Sequence, residues 1–190
     1  MAASSPSTSR LRRLIDSFLT FAQLGRGRQQ FALTPVQPSR LVEKAVDAIR
    51  DRLPAECRLD LAIGPDLPMV MADADALGTA LVNLLENALK YTTDDKRIGV
   101  RASADGGGFV RVDVTDNGIG IPAVEQRRIF RRFYRVDQRL SRETAGVGLG
   151  LSIVELIVRA HGGSVAVQSA PGAGSTFTLR VPCARQTQTA

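Results

Sequence analysis

Two short blocks constrain this chain more than anything else in it: Asn83-Leu-Leu-Glu-Asn87-Ala-Leu-Lys90-Tyr91 and, further on, Asp116-Asn-Gly118-Ile-Gly120. Around the first, Leu77, Ala80, Leu81, Leu84, Leu85 and Ala88 recur at helical spacing, while Asn83, Asn87 and Lys90 stand at steps of four and three on another face. Such a helix lays its apolar face on a core and points its polar stripe into a cavity. The second block ends an alternating run, Phe109 to Thr115, so its carboxylate sits at a strand end, followed by glycines that let the backbone turn tightly. A third block, Gly146-Val147-Gly148-Leu149-Gly150-Leu, opens an apolar helix from Leu149 to Ala160 that Gly162 and Gly163 stop.

The rest of the chain reads as a helix-and-strand fold around these blocks. Residues 1–8 are small and polar and are expected to be disordered. Leu11, Leu14, Ile15, Phe18 and Ala22 mark an amphipathic helix from Ser9 to Leu24, whose stripe needs a partner. An extended stretch, Phe31 to Val36, precedes a helix from Pro38 with Leu41, Val42, Ala45, Val46 and Ile49 on one face. Strands are expected over Arg58 to Ile63, Met69 to Met71, Arg97 to Ala104, Phe109 to Thr115, Ser164 to Ser169 and Ser175 to Val181. Asp73 is placed to cap the helix that carries the asparagines, and Asp105-Gly-Gly-Gly makes a hairpin turn. Arg135 to Gly148 has few apolar anchors and reads as a mobile lid, and Ala184 to Ala190 as a polar tail.

Composition excludes several classes. No apolar run approaches the ~20 residues that cross a bilayer, and Met1-Ala-Ala-Ser-Ser-Pro is not a signal peptide. The expected location is therefore cytoplasmic. Cys57 and Cys183 are far apart and outside any Cys-x-x-Cys spacing, which argues against a disulfide framework or a zinc site. The net charge of +6 raises the question of nucleic acid, and Arg127, Arg128, Arg131, Arg132 and Arg135 interleave with Phe130, Phe133 and Tyr134. That cluster falls between two glycine blocks, which favours a lid or partner face; no nucleic-acid partner is expected.

Taken singly, each block also fits an ordinary structural role: Asp-Asn-Gly a turn, Asn and Lys a solvated helix face. Together they read as an ATP site. A carboxylate at Asp116 accepts a hydrogen bond from the exocyclic amine of adenine, where guanine would present a carbonyl oxygen. Asn87 offers an amide oxygen to Mg²⁺, which takes few protein ligands beside phosphate and water. Lys90 supplies a point charge, and glycines before a helix N-terminus leave backbone N–H groups for phosphate.

Asn83 to Thr92 resembles the N box of sensor histidine kinases, Asp116 to Pro122 their G1 box and Ile129 to Arg135 their F box. Gly146 to Ile153 is similar to their G2 box, and Pro171-Gly172-Ala-Gly174-Ser-Thr-Phe177 to their closing glycine motif. The resemblance covers roughly Thr34 to Pro182. It implies a two-layer α/β sandwich of GHKL type, with a mixed, mostly antiparallel sheet backed by helices. It divides the chain into a remnant of the dimerisation hairpin over 9–28, an ATP-binding catalytic domain over 31–183 and a tail over 184–190. It also implies the cofactors ATP and Mg²⁺, with Asn87 as the metal ligand and Asn83, Asn87 and Lys90 as catalytic residues. Around the nucleotide it places Asn87, Lys90, Tyr91, Asp116, Gly118, Gly120, Ile121, Phe130, Arg135, Gly146, Val147, Gly148, Leu149, Gly150 and Thr176.

Superfamily hydrolases carry a glutamate one turn before the metal asparagine to activate water. Here that position is Asn83, an amide that cannot take a proton, which favours phosphoryl transfer over hydrolysis. The family's phosphoacceptor histidine is missing, since the sole histidine, His161, ends the last helix and reads as structural. The expected acceptor thus lies on a separate dimerisation hairpin, with a response regulator as onward partner and a full-length protein that is homodimeric and can be membrane-anchored. The chain is then a fragment, a truncated product or a stand-alone partner. Two other readings stay open: an anti-sigma-type serine kinase of the same superfamily, and a non-catalytic nucleotide-sensing module. Val147 departs from the family, which commonly has a small polar residue there.

Overall fold

The computed structural model describes residues 31–92, 95–136 and 148–184. The helix expected from Ser9, most of the expected lid, Gly146, Val147 and most of the tail lie outside the described residues.

Strand β1 (Thr34–Val36) leads into helix α1 (Pro38–Arg50), where Pro38 occupies the first turn and so sacrifices no helical hydrogen bond. The apolar positions read from the sequence, Leu41 through Ile49, are all buried on its inner face. After β2 (Arg58–Ile63) and β3 (Val70–Ala72) comes α2 (Ala74–Tyr91). Asp73 caps it as expected, its Oδ1 accepting from the Ala76 N–H at 3.0 Å. Strands β4 (Arg97–Asp105) and β5 (Phe109–Asp116) form the hairpin, α3 (Gly150–Ala160) follows, and β6 (Ser164–Ser169) and β7 (Ser175–Pro182) close the fold.

The five-stranded sheet runs β2-β4-β5-β7-β6, with β2 parallel to β4 and every other neighbour antiparallel; β1 and β3 pair separately. Alternation along β4, β5 and β7 sends Ile98, Val100, Val110, Val112, Val114, Phe177 and Leu179 into the core against the helices. Burying each such side chain contributes about 1.5–3 kcal/mol, which fixes which face of the sheet the helices cover. The opposite face is a polar ladder. There Arg111 and Thr178 both bond Asp113, while Thr115 and Thr176 pair hydroxyls at 3.1 Å.

Boundaries shift by a residue in several places: β4, β5 and β7 run on to Asp105, Asp116 and Pro182. The strand placed over Met69 to Met71 begins a residue later, because pairing of Val36 with Val70 turns Val70 and Ala72 inward and leaves Met69 exposed. The last helix starts at Gly150, with Leu149 as its cap residue and its carbonyl accepting from Ile153 N–H at 2.9 Å. Among the described residues no helix is long and apolar enough to cross a membrane.

Candidate nucleotide site

The site is organised along α2. The helix buries Leu77, Ala80, Leu81, Leu84, Leu85 and Ala88 against the sheet and α3, leaving Asn83, Asn87 and Lys90 part-exposed. Two segments remote in sequence meet this polar stripe. At its C-terminal end the loop after β5 arrives, and Ile119 N–H donates to the Tyr91 carbonyl at 3.1 Å. Nearer its middle the start of α3 arrives: a Cβ on Gly150 would stand 2.9 Å from Asn83 Oδ1. Asn83 also donates from Nδ2 to the Thr79 carbonyl at 2.8 Å, which holds its amide in one orientation.

Asp116, only 8% exposed, ends β5 on the core side of the sheet. Its Oδ1 accepts from the Gly118 N–H at 2.8 Å, and no ion pair reaches it among the described residues. Burial raises its pKa above the ordinary carboxylate value, while backbone hydrogen bonds from Gly118 and Ser175 pull the other way and lose. The loop around it has no room for side chains. A Cβ on Gly118 would overlap the Tyr91 carbonyl oxygen, and one on Gly120 (φ +70°) the carbonyl of Ala170. On Gly174 (φ +75°) it would overlap the carbonyl of Asp116 itself. Glycine is therefore required where three backbone segments touch.

That interlock depends on two residues that no local pattern singles out. Ser169 Oγ accepts from the Ile121 N–H at 2.8 Å and donates to the Gly174 carbonyl at 2.7 Å. Gln126 Nε2 donates to the carbonyls of both Ile121 and Ser169. Polar side chains clamping two loops carry no local signal, since their partners lie up to 48 residues away. Lys96 is a third such residue; its ammonium donates to the carbonyls of Leu89 and Thr92 and closes the end of α2.

The remaining expected site residues divide. Lys90 Nζ lies 3.2 Å from Tyr91 Oη and 4.7 Å from its ring centre, so the two are brought together. Phe130 packs edge-on to the buried Phe177, with ring centres 6.5 Å apart. Phe133 N–H donates to the Gly148 carbonyl at 2.9 Å, which joins the F-box segment carrying Arg135 to the start of α3. Leu149 is buried. Thr176 needs correction: its register partner is Thr115, on the polar outer face, whereas Ser175 pairs with Asp116 on the inner face. Strand alternation thus places Ser175, not the Thr176 side chain, beside the carboxylate.

Chemically, the polar side of α2 offers a buried carboxylate at one end, an amide and an ammonium along it, and a glycine-led helix start against Asn83. Adenine's amine suits the first, and phosphates the last two. Among the described residues no cluster of three or more His, Cys, Asp or Glu exists to hold a metal.

Helices over one face of a mixed sheet, with glycine loops converging on a polar helix, define a nucleotide-binding sandwich of the GHKL class. The chain belongs to the family described as histidine kinase-, DNA gyrase B- and HSP90-like ATPase, whose model matches residues 72–185. It is similar to the sensor-like histidine kinase SenX3 of Mycolicibacterium smegmatis, 36% identical over 176 residues, covering 91% of this chain and 45% of that protein. The full-length structure of ShkA in complex with AMPPNP matches with a TM-score of 0.82 and 32% identity, over 94% of this chain and 37% of that one. The mycobacterial sensor histidine kinase MprB matches with a TM-score of 0.70 and 29% identity, over 80% of this chain and 98% of that one. The chain is thus an ATP-binding domain of the sensor-histidine-kinase type, and it spans less than half the length of the curated relatives it matches.

Proposed function

We propose that this domain binds Mg-ATP and transfers its γ-phosphoryl group to a histidine on a separate dimerisation hairpin, for relay to a response regulator. The observation that carries this is the convergence of the Gly118–Ile119 loop and Gly150 on the polar stripe of α2. In this reading the second carboxylate oxygen of Asp116 accepts from the adenine amine, and the Gly118–Gly120 turn, held tight against Tyr91 and Ala170, lies beside the ring. Asn87 ligates Mg²⁺, and Lys90 exchanges its Tyr91 partner for a phosphate. Tyr91, Ile121, Phe130, Arg135 and Leu149 line the nucleotide, and Gly146, Val147, Gly148 and Gly150 approach its phosphates. When bound, Mg-ATP supplies an activated phosphoryl group; a histidine nitrogen forms the new bond to phosphorus, and ADP leaves.

Asn83 supports transfer over hydrolysis, because its amide is already bonded and cannot accept a proton. His161 is unsuited as acceptor, being 3% exposed with both ring nitrogens bonded. As ATP is a cytoplasmic metabolite, the domain works in the cytoplasm, within a homodimeric protein that can be membrane-anchored.

Incubation with γ-labelled ATP tests this. Label is expected on an added dimerisation hairpin and not on this chain alone; acid-labile label on this chain, lost in His161→Ala, would overturn it. For the metal, Asn87→Ala is expected to remove the gain in ATP affinity that Mg²⁺ gives, leaving metal-free binding unchanged in calorimetry. Equal losses with and without Mg²⁺ would reduce Asn87 to a fold-supporting role.

A further inference from the structure

His161 does more than end a helix. Its Nδ1–H donates to the Ile157 carbonyl at 2.7 Å, and its Nε2 accepts from the Asp73 N–H at 3.0 Å. The two partners fix a neutral ring with its proton on Nδ1. Asp73 is the cap of α2, so one imidazole bridges the C-terminus of α3 to the N-terminus of α2. The incoming chain is attached at the same point: Ala32 N–H donates to Asp73 Oδ2 at 3.2 Å, and the Phe31 ring centre lies 5.0 Å from that of His161. Three elements therefore meet around the buried His161 ring, with Ala32 on the surface beside it, at a node remote from Tyr91 and the Asp116 loop.

We infer that His161 is a positioning residue for the nucleotide site, linking the incoming segment Phe31–Ala32 to both helices that bracket the cleft. The inference rests on the nucleotide-binding reading above. Helix α2, 18 residues and so about 27 Å long, carries the node at one end and Lys90 and Tyr91 at the other. Helix α3 runs from the node back to Gly150, which abuts Asn83 midway along α2. Close-packed helices move as units rather than deform. A shift of Phe31–Ala32 at the node is then felt where Gly150 meets Asn83, and a nucleotide that fixes the helices tightens the node in return.

Two substitutions separate bridging from simple helix capping. In His161→Asn the amide nitrogen replaces Nδ1 and keeps the bond to Ile157, but the acceptor for Asp73 is lost. In His161→Gln an oxygen at the position of Nε2 keeps that acceptor. Calorimetry with AMPPNP is paired with hydrogen exchange at Ala32 and Asp73, at a temperature where each variant is folded. For the unaltered chain, AMPPNP is expected to slow exchange at both amides. His161→Asn is expected to abolish that slowing and weaken binding about fivefold, the low end of usual coupling; His161→Gln is expected to restore both. Normal AMPPNP binding that leaves exchange at both amides unchanged would overturn the inference alone. So would a His161→Asn variant that binds and protects like the parent. Failure of the unaltered chain to bind AMPPNP would instead overturn the nucleotide-binding reading, and the inference with it.

Discussion

Asp116→Asn is expected to weaken ATP binding by about ten- to a hundredfold while leaving the protein as stable at neutral pH as before, or more so. The loss is that of one charge-assisted hydrogen bond, about 1.5–3 kcal/mol. Oδ1 of Asp116 is already committed to the Gly118 N–H. An asparagine keeps that bond with its oxygen and so turns its NH₂ toward the adenine amine, donor against donor. The stability effect runs the other way. Burial raises the Asp116 pKa above 3.8, so the folded state favours the protonated carboxyl. That contribution to stability is full below 3.8 and is lost as pH rises through the raised value, above which the carboxyl ionises in a desolvated site. Asparagine carries no such charge. Thermal melts across a range of pH should show the parent losing stability relative to the variant as pH rises above 3.8 and through the raised value. A variant that binds ATP normally, or is markedly less stable at neutral pH, would contradict this account of the residue.

A second large effect is expected at Gly120. Its φ of +70° would cost an L-residue about 1–2 kcal/mol. Its Cβ would also fall well inside 3.0 Å of the Ala170 carbonyl, which is backbone and cannot rotate away. Forcing such a shift typically adds about 1–3 kcal/mol. Gly120→Ala should therefore destabilise by about 2–5 kcal/mol, a large share of the ~5–15 kcal/mol that holds a domain together. It should also weaken ATP binding, because the loop carrying Asp116 is parted from the β6–β7 turn. Gly172→Ala is the control: its φ is +75°, but a Cβ there meets nothing within 4 Å, so only the conformational cost of about 1–2 kcal/mol is expected. Urea unfolding distinguishes the two, and equal midpoints would refute the packing argument.

The parts of the molecule that could be read from the sequence are those written in short-range periodicity. Leu77 to Ala88 sorted themselves into a buried face by helical spacing, and the alternation of β4 and β5 set which residues face the helices. The Asp116 loop and α2 were legible as site elements because each carries its chemistry within about one turn of chain. Thr176 was misplaced for the complementary reason. In a strand a one-residue ambiguity exchanges faces, and only the pairing of Asp116 with Ser175 resolves it. Ser169, Gln126 and the bridge from His161 to Asp73 were illegible because they act across 43 to 88 residues of sequence. Nothing local distinguishes such a serine or histidine from its neighbours.

The central claim is that a buried carboxylate at Asp116 reads adenine in an ATP site built along α2. Calorimetric titration of the unaltered domain with Mg-ATP and, separately, Mg-GTP tests it most directly. The account predicts saturable one-to-one binding of ATP and GTP binding weaker by about tenfold or more, because guanine sets a carbonyl oxygen against the carboxylate. Equal affinity for the two nucleotides, or a preference for ATP that survives Asp116→Ala, would contradict it.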